Sequence, residues 1–153
     1  WFGVGGTLGD FLHFSDSTPS LGARALACAA TIAAWRYVDR RMRPGTRFSD
    51  VFDHFAANLA SWGAIAWCLE WPWLAAGLPL LAAFAYASVR RGLVTGREAF
   101  LVYGIVYAAI GLCAVAAPRL HGTTASFSFV LIVVCTAAAT LWQLRRRLRE
   151  RGP

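Results

Sequence analysis

Lysine is absent from this 153-residue chain, so all 15 basic residues are arginine. Charge of either sign is scarce: 15% of residues are charged and 58% are apolar. A soluble domain of this size carries about a quarter charged residues and just under half apolar ones. That shortage argues against a water-solvated globular surface. The four cysteines, Cys28, Cys68, Cys113 and Cys135, form no CxxC or Cys/His cluster, which leaves zinc and iron–sulfur sites without support. Each sits in a different apolar block, where a reduced thiol acts as a small buried hydrophobe. The net charge of +7 would suit nucleic acid. The arginines, however, lie between apolar blocks, where charge sets membrane orientation, so nucleic acid is set aside as a partner. The all-arginine choice reads as codon bias from a GC-rich genome. There is no internal repeat and no linker long enough to separate two domains.

What is present is apolar sequence in blocks, with a mean hydropathy of +0.50 over the chain. The blocks run for roughly 17–20 residues, the length that crosses a ~30 Å hydrocarbon layer at 1.5 Å per residue. They are apolar nearly all round, unlike a soluble helix with one apolar face. The expected fold is all-α, a polytopic transmembrane bundle of about five spans at 19–38, 50–70, 72–89, 96–117 and 125–144. Thr18-Pro19 reads as an N-cap with proline at the first helical position. The first span holds Arg24 and Arg36, both near its ends, where long side chains can snorkel to headgroups. Ser49 is placed to cap the second helix, with Asp50 and Asp53 in its first turn. Trp71-Pro72-Trp73 is expected to open the third helix at interface depth. Thr95 and Glu98 read as a capping box for the fourth, which Pro118 stops.

Twelve of the fifteen arginines fall in three segments, 39–50, 90–98 and 145–153, while the intervening turns near Glu70 and at 118–124 hold only Arg119. With five helices the three rich segments share one side, and the positive-inside rule makes that side cytoplasmic. Residues 145–153 are then a basic cytoplasmic tail, and residues 1–18 an extracytoplasmic remnant, read as the end of a preceding helix. Residues 1–14 lack the basic region of a signal peptide. If the first block lies along the surface, four spans remain and the N-terminus turns inward.

The second helix carries the one polar stripe. At about 100° per residue, Asp50, His54, Asn58, Ser61, Ile65 and Cys68 share a narrow sector, with Phe52, Phe55, Leu59, Trp62 and Ala66 on the far, lipid-facing side. Polar groups in lipid need partners, so the stripe should face the bundle interior. One reading is an intramembrane proton or ligand site built on Asp50, His54, Asn58 and Ser61. The plainer reading, which is favoured, is helix-end chemistry plus interhelical hydrogen bonding worth ~0.6 kcal/mol or somewhat more per bond. Asp53, one residue off the stripe, reads as a capping or interfacial group, and Glu70 as a solvated charge in an outer turn. No cofactor or metal is expected, although a lone histidine, His54 or His121, has the chemistry to ligate a haem or chlorophyll metal; His13 lies in the N-terminal remnant. Small-residue runs at Ala56, Ala60 and Ala64, at Ala23 and Ala27, and at Gly104, Ala108 and Gly111 would let helices approach closely. Trp35, Tyr37 and Trp142 near one membrane face, and Trp71 and Trp73 near the other, read as interface belts.

The stretch FDHFAANLASWGAIAWCLE (52–70) followed by REAFLVYGIVYAAIGL (97–112) resembles a bacterial multi-pass membrane protein family, domain of unknown function 2157. The resemblance spans about residues 50–117 and rests on the DHFAANLA and REAF-x-x-YG patterns. It implies a bacterial inner-membrane location and brings no catalytic residues. With no nucleophile–base pair or metal cluster, the chain is not expected to be an enzyme. The expected role is a structural or accessory subunit of a larger membrane assembly, in contact with lipid and with other membrane subunits or copies of itself. The alternative is a small transporter or ion-coupled carrier working through the polar stripe.

Overall fold

The computed structural model describes residues 18–43, 48–70 and 72–150, with side chains described from residue 21 onward and, after the first loop, from residue 51. Among the described residues the fold is all-helical, without strands. The helices are α1 (Thr18–Met42), α2 (Phe48–Leu69), α3 (Leu74–Thr95), α4 (Glu98–Ala116) and α5 (Thr123–Glu150), with a 3-10 turn at Ala117–Arg119 between the last two. α4 with its 3-10 turn and α5 are long and apolar enough to cross a membrane. The other three do not reach that mark; their polar residues include Arg36 on α1, Asp53, His54 and Asn58 on α2, and Arg90 and Arg91 on α3.

Successive helices run antiparallel, and their tightest contacts are made by glycine. A Cβ on Gly22 of α1 would lie 2.6 Å from Trp67 Cδ1 and 3.0 Å from the Gly63 carbonyl of α2. One on Gly77 of α3 would meet the Cys68 backbone nitrogen at 2.7 Å and the Trp67 carbonyl carbon at 2.8 Å. On α4, Gly104 packs against the backbone of Ala85 and Gly111 against Leu81, both on α3. Close backbone approach of this kind is how helices associate where lipid removes any hydrophobic drive between them. Ala64, Ile65, Cys68 and Leu81 form the core, with Phe84, Tyr107 and Val115 packed on it. Phe100 and Leu101 are fully enclosed near the start of α4.

α1 packs lengthwise against α2. Its close-packed strip is Gly22 and Ala29, with Leu26 pressing on Gly63. It is not the Ala23–Ala27 pair, because Ala27 is exposed. Ala60 and Ala64 on α2, and Gly104 and Gly111 on α4, are buried as expected. Of the four cysteines, Cys68 alone is buried, and Cys135 is exposed on α5.

Several helix ends differ from expectation. α3 continues through Arg90 and Arg91 to Thr95, where Gly96 stops it at φ 68°. This left-handed C-terminal stop costs glycine nothing. Thr95 therefore closes α3, donating its hydroxyl to the Arg91 carbonyl at 2.7 Å. The residue before α4 is Arg97, and no side chain caps that helix. α3 opens at Leu74, after Pro72 and Trp73 in a turn. Ser49 lies inside the first turn of α2 rather than ahead of it. The basic segment after 144 is not a loose tail: α5 carries on to Glu150, which accepts from Arg146 Nε at 2.8 Å one turn away. Residues 1–17, including His13, the Arg47 and Trp71 positions, the Ser49 and Asp50 side chains, and 151–153 lie outside the described residues.

Gly77 offers the cleanest test of this packing, because backbone rather than a movable side chain fills the space a methyl would need. Gly77→Ala should lower stability by about 1–3 kcal/mol in reversible unfolding from detergent micelles. Leu78→Ala, at an exposed neighbour, should leave it nearly unchanged.

Candidate functional site: a buried Arg–Asp–Arg bridge

On α2 the residue most enclosed by charge is Asp53. Only 5% of it is exposed. Its Oδ1 takes Arg36 Nε of α1 at 2.5 Å, and its Oδ2 takes the Arg91 guanidinium of α3. A lone buried carboxylate is prohibitively expensive in a low-dielectric interior. Here three consecutive helices converge to neutralise it. By the helical rise the three groups lie about 6–9 Å in from their helix ends, inside the bundle rather than at its tip. Arg36 is thus turned inward to Asp53, which corrects its expected role as a snorkelling residue. Asp53 is neither a cap nor an interfacial group.

The bridge is seated on aromatics. The Arg91 guanidinium carbon stands 5.0 Å from the Phe100 ring centre, a cation–π contact. His54 stacks on Phe100 at 4.7 Å with an interplanar angle of 9°, and Tyr103 meets both rings edge-on. His54 Nδ1 is enclosed without a hydrogen-bond partner among the described residues. One turn along, Tyr107 of α4 donates to Asn58 Oδ1, and Asn58 Nδ2 donates to the His54 carbonyl at 2.7 Å. Ser61, buried, donates to the Ala57 carbonyl at 2.8 Å.

The polar stripe therefore faces inward, toward α4, as its chemistry demanded. His54, Asn58 and Ser61 lie in sequence along that face. They are engaged there in packing and hydrogen bonds: His54 is a stacked ring, Asn58 bonds Tyr107 and its own helix, and Ser61 bonds back along the helix. Phe55 and Trp62 on the other side are exposed, whereas Phe52, Leu59 and Ala66 are half-buried. His54 and His121 are not brought together. His54 lies beside the first turn of α4, and exposed His121 follows its last. Among the described residues no three His, Cys, Asp or Glu side chains converge on a metal-sized site.

Sequence reasoning missed the bridge because it treated polarity on α2 as one stripe. Asp53 sits roughly 60° round from Asp50 at about 100° per residue, in the sector of Ala60 and Ala64. The available signal was electrostatic. Arg36 and Arg91 fall within or against apolar blocks, and an intramembrane charge requires an opposite partner. Asp53 is the carboxylate at matching depth.

At the same end of the bundle, Glu98 of α4 pairs with Arg145 of α5 at 2.9 Å, both side chains about two-fifths exposed. Arginine-rich ends of α1, α3 and α5 are thereby gathered at one pole. Compared with family models, curated proteins and solved structures, the chain matches none.

Asp53→Asn should destabilise the protein by about 3–5 kcal/mol, because two arginines then face each other without a counter-charge. Adding Arg36→Gln to Asp53→Asn should recover part of the loss. His54→Phe, which keeps the stack on Phe100, should cost below about 1.5 kcal/mol. Unfolding of each variant in mixed micelles reads these differences.

Proposed function

We propose that the protein is a multi-pass membrane protein of the bacterial inner membrane whose task is helix packing, serving as a non-catalytic accessory subunit of a larger membrane assembly. The observation that carries this reading is α5. It leans on α4 and the Ala117–Arg119 turn, and none of its described residues is buried. Its exposed apolar side chains include Phe127, Leu131, Ile132 and Val134. A helix this apolar with one face occupied has the rest of its surface for lipid or another protein.

Charge supports five spans. α1, α2 and α3 fall short of a simple apolar-length criterion, and their charges include Arg36, Asp53 and Arg91. Those three meet in one bridge, which lowers their cost in a bilayer far below that of three separate ions. The common arginine-rich pole supports a cytoplasmic C-terminus through the positive-inside rule. A carrier working through the α2 stripe has weaker support, since His54, Asn58 and Ser61 are engaged in packing and local hydrogen bonds.

Purification from native membrane in mild detergent should yield the chain with a stoichiometric membrane partner that cross-links through exposed Cys135. Recovery as a lone monomer would overturn the accessory role. A C-terminal fluorescent-protein fusion should glow and a C-terminal alkaline phosphatase fusion should stay silent; the reverse pattern would overturn the orientation.

A further inference from the structure

Between α1 and α3, with α2 as its floor, runs a groove of about 960 Å³, at the upper end of the roughly 300–1,000 Å³ of small-molecule pockets. Its two ends differ sharply in chemistry. One end is lined by Arg36, Arg40, Arg90 and Arg91 around the Asp53 carboxylate. The remainder is mostly apolar and alanine-rich, with Leu26, Ala29, Ala33 and Ala60 on α1 and α2, and Phe84 beside the hydroxyls of Tyr86 and Ser88 on the α3 wall. Four guanidiniums against one carboxylate leave the basic end strongly positive. Asp53 engages Arg36 and Arg91. Arg40 and Arg90 are exposed and take part in no ion pair among the described residues.

We infer that this groove holds an anionic phospholipid, its phosphate at Arg40 and Arg90 and one acyl chain along the alanine trough toward Leu26. The inference rests on the membrane reading above and goes beyond it. Length supports it: from Arg36 to Leu26 the helical rise gives about 15 Å, half of a ~30 Å hydrocarbon layer, so the trough matches one leaflet. The direction is also right, with cationic groups at the helix ends and the apolar trough running inward from them. Basic pockets between membrane helices on the cytoplasmic side are a general form of anionic-headgroup site. A second copy of this chain is a poor occupant, because it would bring another arginine-rich pole against the first. The bridge gains a second role: by engaging Arg36 and Arg91, Asp53 fixes the walls of the groove while Arg40 and Arg90 face the ligand.

The test is reconstitution of the full chain into nanodiscs of equimolar phosphatidylglycerol and phosphatidylcholine, re-extraction in mild detergent, and native mass spectrometry of retained lipid. Phosphatidylglycerol should be retained over phosphatidylcholine by about thirtyfold, the scale set by two arginines near an anionic surface. The Arg40→Gln/Arg90→Gln variant, which leaves the Asp53 bridge intact, should fall to parity with an unchanged melting temperature. Ala33→Phe, at an exposed wall position, should lose both lipids with the basic end intact; if that variant fails to fold, the arginine pair alone decides. Excess inorganic phosphate should displace nothing, since the acyl chain contributes to retention. Equal retention of the two lipids by the natural chain, undiminished preference in the double variant, displacement by free phosphate, or a protein found seated in the groove would each overturn the proposal. Failure to enter nanodiscs at all would overturn the membrane reading with it, whereas entry without lipid preference would overturn this site alone.

Discussion

A carboxylate held out of water dictates where its neighbours stand. Asp53 on α2 is enclosed, and its two oxygens are taken by arginines from the helices before and after it in sequence. Each ion pair fixes a rotation and an axial register between two helices, so a single residue aligns α1, α2 and α3 at one pole. At the opposite pole the same three helices are held by close backbone approach, Gly22 to Gly63 and Gly77 to Cys68. Charge fixes one end and steric fit the other. Either alone would leave the helices free to pivot. Together they join the three helices at both poles, and α4 lays Gly104, Gly111 and its aromatic row of Phe100, Tyr103 and Tyr107 against them.

Much of this architecture was legible in the sequence because long apolar blocks separated by short arginine-rich segments leave few alternatives to successive helices. All five helices fall where the blocks lie, and the inward face of His54, Asn58 and Ser61 follows from helical periodicity. The ends were harder to read for one reason. Hydropathy stops at arginine, but backbone hydrogen bonding does not. α3 runs on past Arg90 and Arg91 until Gly96 turns left-handed, and α5 runs past Arg145 to Glu150. Thr95 illustrates a second difficulty. Its spacing to Glu98 satisfies a capping box, yet Gly96 ends the preceding helix first and the hydroxyl bonds backward to Arg91. Asp53 was misread because helical angle separates it from the stripe, and only the depths of Arg36 and Arg91 reveal its partners.

The interior polar groups of α2 are engaged in ring stacking and local hydrogen bonds, and two features stand out on the outer surfaces. α5 offers an unburied apolar face, and the α1–α3 groove offers a basic mouth above an alanine trough. Ion pairs place both: the groove's walls are the two helices that Asp53 joins, and α5 is tied to α4 through Arg145 and Glu98.

The bridge itself can be observed directly. In protein reconstituted into bilayers, with the Asp53 side-chain carboxyl carbon labelled in ¹³C and arginine side chains in ¹⁵N, solid-state dipolar recoupling reports guanidinium groups in contact with that carboxyl. The expected result is strong coupling that weakens in Arg36→Gln, weakens in Arg91→Gln and disappears in the double variant. A carboxyl with no guanidinium within contact range, or one whose coupling survives both substitutions, would contradict the account.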